Sequence, residues 1–399
     1  MSDATRPLRT VEAIHAIDDR DLDGAWKAAL LLQAEHAGRG SDGFRHVFLA
    51  TDSGHLDGSG LMLLRIAAAL QELDVEVTAV LPQPSSMLVV ATREGIPVIA
   101  LPARSRLAWM YALRWWDRAR PPGLLWCNGL APAVATAGAP DRLVHLHRRP
   151  SGMRALLARL ARRDAVTTLV PSISMLEAVP GALVLPNWTD RIRRAAPSAD
   201  EDRRIRIGFW GRLGLDEGVQ VLAGALEMLD TCMPGHYRLV LAGEPVCVPE
   251  EDLAELEEAL GPVAHLTHRA GWVDPAAFFD TIDLLVVPSI VEEAFGLVAA
   301  EAMAARMPVI VSDAGALPEV VGPEGEIVPA GDSVALAERI AELTVGSAAA
   351  HGRALFERWF AEYSPAAGTA RMRTLVDALD VRRAGGGAAR AAEIAVARS

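Results

Sequence analysis

Lysine is almost missing from this chain: Lys27 is the only one in 399 residues, and arginine carries the rest of the positive charge. With so much alanine beside it, the arginine excess reads as compositional bias. Cysteine is scarce too. Cys127, Cys232 and Cys247 are odd in number and widely spaced, which argues against a disulfide framework and a zinc site. No uninterrupted apolar run reaches the roughly 18 residues a membrane-spanning helix needs. The opening MSDATRPLRTVEAIHAIDDRD lacks the apolar centre of a signal peptide. A cytoplasmic, reducing setting is therefore expected. Positive charge is in deficit, with a formal net charge of -12 at pH 7. That argues against general nucleic-acid binding, which needs a basic footprint, and mildly favours a neutral or cationic partner.

What is present describes a globular protein of two domains. A hydrophobic share of 51% against 23% charged residues is enough to fill large cores, and the length exceeds what one core usually serves. Short apolar runs alternate with helical segments, the pattern of strand–helix units and a parallel sheet. The strand candidates of the first half are HVFLAT, VEVTAVLP, PVIALP, GLLWCN, RLVHLH, VTTLVPS and ALVLPN. The charged, Pro/Ala-rich TDRIRRAAPSADEDRR (189–204) reads as a linker. Beyond it come IRIGFWG, YRLVLAG, AHLTHRAG, DLLVVPS, PVIVSD and GEIVP.

The expected organisation is a helical extension over 1–44, a doubly wound α/β domain over 45–195 and a second over 203–355. Helices over 356–383, broken at Ser364–Pro365, are expected to cross back to the first domain, and 384–399 forms a tail. Ligands of doubly wound sheets sit beyond the carboxyl ends of the strands, so the site is expected in a cleft between the two domains.

One stretch of the second half carries chemistry. In EAFGLVAAE (293–301) two glutamates bracket an apolar run, and a buried carboxylate is costly unless paired. The helical pattern begins near Phe295, which leaves Glu293 in the loop after DLLVVPS and puts Glu301 about two turns into the helix. Eight residues correspond to an offset of about 80°, so the two do not share a face. Backbone N–H groups at the helix start favour an anion. A carboxylate such as Glu301 can accept both hydrogen bonds of a ribose diol; the alternative is that it pairs with a core arginine.

The wider stretch 271–321, GWVDPAAFFDTIDLLVVPSIVEEAFGLVAAEAMAARMPVIVSDAGALPEVV, resembles the GT-B glycosyltransferases of retaining group 4 with their E-x7-E signature. VLPNWTD (184–190), GFWGRLGLDEGVQVLAGAL (208–226) and DGSGLMLLRIAAALQELDVEVTAV (57–80) resemble further family segments in the right order. The resemblance covers about residues 45–380 and is stronger in the C-terminal half. It implies two Rossmann-like domains and a sugar-nucleotide donor. Glu301 would hold the ribose and Glu293 the transferred sugar. Phe295, Gly296 and Leu297 would present backbone amides, and Arg212 would contact the diphosphate. Gly58 and Ser59 would line the acceptor side, and His147, with His145 as runner-up, would stand in the cleft. If not, the two histidines share a strand face and are only packed. The implied reaction retains anomeric configuration and needs neither a cofactor nor a metal.

Two positions depart from the family. Glu217 stands where a lysine usually contacts the diphosphate. Either it points away and Arg148 or Arg149 substitutes, or the donor phosphate is placed differently, or the site is degenerate. Arg306 stands where a glycine ends the helix, a position that favours the left-handed conformation.

The arginines at 148, 149, 154, 159, 162 and 163 form either a face for anionic lipid or a solvated face backing Leu156, Leu157 and Leu160. The second is preferred. Tryptophans 109, 115, 116, 126, 188 and 210 can stack on sugars or fill the core. Asp52 and the HLDG segment put acidic groups near the acceptor loop. The expectation is a glycosyltransferase acting on a small polar, amine-bearing acceptor, as in antibiotic and secondary-metabolite glycosylation. The alternatives are an envelope-glycan or lipid-linked acceptor, another GT-B activity on a different sugar phosphate, and a non-catalytic binding protein.

Overall fold

Every apolar run marked above as a strand forms one in the computed structural model, which describes residues 46–194, 204–246, 248–346 and 348–383. β1 (His46–Ala50), β2 (Glu76–Gln83), β3 (Val98–Pro102), β4 (Leu124–Asn128), β5 (Arg142–His145), β6 (Thr167–Val170) and β7 (Leu183–Val184) pair in the order β3-β2-β1-β4-β5-β6-β7. β8 (Ile205–Trp210), β9 (Tyr237–Ala242), β10 (Thr267–Gly271), β11 (Leu284–Val287), β12 (Val309–Ser312) and β13 (Glu326–Val328) pair as β10-β9-β8-β11-β12-β13. All the pairings are parallel. Strands buried on both faces read as unbroken apolar runs, and LLWCN in β4, LLVV in β11 and VIVS in β12 are buried at every residue.

The chain divides into two units, at Pro186/Asn187 and again at Ala367/Gly368. Each unit holds one sheet. In each, the chain winds outward from its first strand, then returns to the other side of that strand: β1 to β4, β8 to β11. This reversal is the topological switch point, where open α/β sheets bind ligands.

Helices cover the sheets with apolar stripes. Val219–Cys232 buries Val219, Leu222, Leu226 and Leu229 at helical spacing, beside Leu336 and Ile340 of Ser333–Val345. Each such side chain contributes about 1.5–3 kcal/mol when fully buried.

Several boundaries differ from those expected. The start of the supposed linker is packed: Thr189 is fully buried, accepts from Trp359 Nε1 at 2.8 Å and donates its amide to Tyr363 O at 3.0 Å. The helical stretch does break at Ser364, but Ala348–Glu362 stays with the second unit and only residues from Gly368 join the first. The extension over 1–44, residues 195–203, Cys247 and the tail over 384–399 lie outside the described residues. Arg306 follows the helix Leu297–Ala304 at φ 57, the left-handed position expected there. Its guanidinium lies 4.3 Å from the centre of the Phe356 ring.

The first unit contains a buried arginine. Arg142 has no solvent exposure; its Nε donates to Ala139 O at 3.1 Å, Nη1 to Ala133 O at 3.4 Å and Nη2 to Arg163 O. Ala133 belongs to the last turn of Leu130–Ala135, and Arg163 follows Gly152–Ala161. One guanidinium thus satisfies carbonyls at two helix ends, where positive charge is also favoured by the helix dipole. Neighbouring Cys127 is fully buried, and burial pushes its pKa up to about 11. It is a packed, unreactive thiol.

Candidate functional site

At the second switch point two loops meet. The first leaves β8 and carries Arg212, Asp216 and Glu217. It is pressed against the second, which follows β11. Gly218 has φ 78, and a Cβ there would lie 1.9 Å from Pro288 O, so the turn demands glycine. The Ile290 amide donates to Asp216 O at 2.9 Å.

Arg212 Nη2 is bonded to Asp216 Oδ2 and, at 3.2 Å, to Glu217 Oε1. Burial works against the Arg212 charge, but the two carboxylates outweigh it and its pKa is raised. Glu217 therefore does not point away. Burial, and then the nearby Glu293 charge, push its pKa up to about 7, with Arg212 opposing. Arg149 is not free to replace the missing lysine: it donates to Glu177 Oε2 at 2.8 Å and Ser174 O at 3.0 Å.

Glu293 lies in the loop, as expected, and its position is fixed by backbone contacts. It bridges Gly315 as an isolated β pair, and its carbonyl accepts from the Ala316 amide at 2.9 Å. Gly315 has φ 64 and a Cβ there would come within 2.4 Å of Glu293 O. Ser289 Oγ donates to Glu293 Oε1 at 3.3 Å.

The following helix, Leu297–Ala304, starts two residues later than the apolar pattern suggests, with Gly296 as an N-cap that offers no side chain. The Leu297 and Val298 amides precede the first helical acceptor, whereas the Ala299 and Ala300 amides donate to Gly296 O at 3.1 and 3.3 Å. Glu301 is the fifth helical residue, about one turn in rather than two, and is half-buried. The Phe295 side chain packs into the core edge-on to Tyr363, with ring centroids 5.5 Å apart. Only its backbone is available to a ligand.

The first switch point brings together Gly58, Ser59 and His147 through a residue that carries no motif of its own, Asn128. Asp57 caps Gly58–Glu72, accepting from the Gly60 amide at 2.8 Å and from Ser59 Oγ at 2.7 Å, so the Ser59 hydroxyl is engaged. Asn128 ends β4. Its Nδ2 donates to Ser59 O at 3.0 Å, and its Oδ1 lies 2.6 Å from His147 Nε2.

An amide that donates through nitrogen to a carbonyl must accept through its oxygen, so His147 carries its proton on Nε2. His147 Nδ1 is then a bare acceptor, closed off from solvent and without a protein partner. Burial lowers the His147 pKa to about 4, with Asp57 opposing weakly, and the ring is neutral at pH 7. His145 is the last residue of β5, whereas His147 stands two residues beyond the strand. His145 is fully buried, its ring 4.0 Å from His147 and 5.8 Å from Trp126, and is a packed residue.

The arginine-rich helix departs from the preferred expectation. Gly152–Ala161 buries Ala158 and Ala161 and leaves Met153 72%, Leu156 53% and Leu160 53% exposed beside exposed Arg154, Arg159 and Arg163. Trp109, Trp126 and Trp188 are core residues, and Trp210 stacks on Phe279 at 5.6 Å. Trp116 meets Phe48 edge-on at 5.2 Å, and Trp115 is exposed. Asp52, the carboxylate expected to meet an amine, is ion-paired to Arg106 at 2.7 Å. Among the described residues no cluster of His, Cys, Asp or Glu is placed to hold a metal ion, and no helix is long and apolar enough to cross a membrane.

A solved structure of Anabaena Alr3699/HepE in complex with UDP-glucose superposes on this chain with a TM-score of 0.71 at 19% identity, covering 83% of this chain and 99% of that one. The fold is GT-B. The family model described as "Glycosyl transferases group 1" matches residues 204–345, which run from β8 through Ser333–Val345 in the second GT-B unit. Arg212, Glu217, Glu293 and Glu301 fall inside that match; Gly58, Ser59 and His147 fall outside it.

A phosphatidyl-myo-inositol mannosyltransferase of Mycobacterium leprae is 36% identical over 196 residues, 46% of this chain and 50% of that protein. A D-inositol 3-phosphate glycosyltransferase of Corynebacterium diphtheriae is 29% identical over 194 residues, 46% of this chain and 43% of that protein. The matched stretch thus spans half or less of these relatives.

Proposed function

We propose that this protein is a retaining glycosyltransferase that takes its sugar from a nucleoside-diphosphate donor. The supporting observation is the convergence, at one switch point, of Arg212, Glu293 and an uncapped helix N-terminus with Glu301 one turn further in. Arg212 and the amides of residues 295–297 receive the diphosphate, where negative charge builds as the sugar–phosphate bond breaks. Glu301 accepts from the ribose hydroxyls and Glu293 holds the sugar. The acceptor oxygen bonds to the anomeric carbon on the face the diphosphate leaves, and its proton passes to the departing phosphate oxygen. His147, neutral and held by Asn128, stands on the acceptor side. No other cofactor and no metal enter the scheme.

The test is thermal unfolding with UDP, GDP, ADP and dTDP, beside Glu301→Ala. Ligand at 100 times its Kd adds about 2.7 kcal/mol to stability. One nucleotide is expected to raise the wild-type Tm, with the rise lost in the variant. No rise with any nucleotide removes the donor-site reading.

For the acceptor, the exposed helix faces favour a lipid-linked molecule over a small amine-bearing one. Arg106–Ala119 exposes Leu107, Tyr111 and Trp115 and places Arg118 5.0 Å from the Trp115 ring centre. It and Gly152–Ala161 both pack against Leu130–Ala135. Apolar and aromatic side chains edged by arginine suit the headgroup region of an anionic bilayer. The ion-paired Asp52 removes the main argument for an amine. Sedimentation with phosphatidylglycerol vesicles is expected to carry the protein down, and a doubly substituted Leu156→Asp, Leu160→Asp variant is expected to stay in solution. Wild-type protein that remains in solution returns the choice to a small polar acceptor in secondary metabolism.

A further inference from the structure

Glu217 lies where a donor diphosphate needs positive charge, yet the site is built around it. Its backbone is fixed. The Glu217 amide donates to Gly214 O at 3.2 Å, and the next residue, Gly218, is wedged against Pro288 O. The carboxylate therefore has little freedom to leave the loop, and it stays beside any ligand that reaches Arg212.

The charged groups that face it are Arg212 and Asp216 on its own loop and Glu293 from the segment after β11. Arg212 is the cation of this group, and both of its carboxylate partners hold the same Nη2 nitrogen. Asp216 and Glu217 together occupy Nη2, one of the three guanidinium nitrogens. A diphosphate that takes that nitrogen must displace at least one of them.

Resting on the donor-site reading above, we propose that sugar-nucleotide binding takes up one solvent proton, and that Glu217 is the residue that carries it. With the proton on, Glu217 releases Arg212 to the diphosphate and turns from an anion that repels the ligand into an O–H donor to a phosphate oxygen. With the proton off, three carboxylates and one guanidinium surround an incoming anion. A lysine would bind the diphosphate at any pH near neutral. A glutamate makes the same step depend on pH, and so acts as a specificity residue for the donor and for the conditions under which it binds.

The group is already poised for this. Burial and the Glu293 charge hold the Glu217 pKa at about 7 before any ligand arrives, and an added diphosphate pushes it in the same direction. The sign follows. Below about pH 7 Glu217 is mostly protonated, binding is tight and little proton is taken up. As pH rises above 7, each bound ligand must bring its proton from solvent. Affinity then falls by up to about tenfold per pH unit, the slope of a single linked proton.

Calorimetric titration with UDP-glucose, GDP-mannose, ADP-glucose and dTDP-glucose from pH 6 to 9 tests this, with HEPES and Tris compared at pH 8. Both phosphates of these probes are esterified, so proton uptake near neutrality reports on the protein. The wild type is expected to take up close to one proton at pH 8 with its preferred probe and to bind about fivefold more weakly at pH 8 than at pH 7, approaching tenfold between pH 8 and pH 9. Glu217→Gln, nearly isosteric and always neutral, is expected to take up none and to bind equally from pH 6 to 9 with the wild type's low-pH affinity.

A flat wild-type profile without proton uptake overturns the proposal and leaves the donor site standing. So does uptake that persists in Glu217→Gln, because another group then carries the proton. If none of the four probes binds at any pH, the donor-site reading fails and this inference fails with it.

Discussion

Arg212→Leu is expected to weaken nucleoside diphosphate binding about 10- to 100-fold while leaving binding of the bare nucleoside unchanged. A hydrogen bond to a charged group contributes about 1.5–3 kcal/mol, which sets that range. Turnover should fall further, by about 10²–10³-fold, because the guanidinium matters most as charge collects on the departing diphosphate. Arg212→Lys keeps the charge but loses the planar fork, and should fall between the two. The leucine variant also strips Asp216 and Glu217 of their common partner, so its unfolding must be followed in parallel. Calorimetry with the nucleotide and its nucleoside separates the cases. An equal loss for both, with normal stability, would place Arg212 away from the phosphates.

The largest loss of stability is expected from Arg142→Leu, at about 3–5 kcal/mol. The side chain is wholly buried and its guanidinium is bonded to the carbonyls of Ala133, Ala139 and Arg163. Leucine fills part of the space but leaves three carbonyls without a donor, and each buried unsatisfied group costs about 1–3 kcal/mol. Urea unfolding followed by tryptophan fluorescence reads the effect through Trp109 and Trp126, both buried in the same unit. A loss below about 1 kcal/mol, less than one orphaned carbonyl should cost, would mean that water replaces the guanidinium with little penalty.

Much of the architecture is legible because strand and helix periodicity are local. HVFLAT, LLVV and VIVS announce strands by β-branched and apolar runs bounded by turn residues, and each is one. The left-handed Arg306 is readable from a helix end without its glycine. Glu293 in a loop and Glu301 on a helix are readable from the place where the apolar period changes. The helix start is displaced by two residues because Gly296 ends the loop at φ 87, and a cap without a side chain leaves no signature.

The candidate site is less legible where it depends on partners far apart in sequence. Asn128 joins Ser59 and His147 across 69 and 19 residues, and only its place at the end of GLLWCN, beside a glycine, hints at a role. Asp216 is inconspicuous beside Glu217, although its four-residue spacing from Arg212 permits a pair. Hydrophobicity alone directs Leu156 and Leu160 to the core, yet the helix buries its alanines instead.

Two parallel α/β sheets, and the resemblance that names the candidate residues, were thus written in the chain itself, because alternation, turn chemistry and motif spacing act over a few residues. Which charges meet was settled only by folding. The fold turned Glu217 toward Arg212 and Glu293, fixed the proton of His147 through Asn128, and gave Arg142 its carbonyls. Those outcomes depend on distances between loops and strands brought together by strand order, and electrostatic and hydrogen-bond energies are set by such distances and by burial.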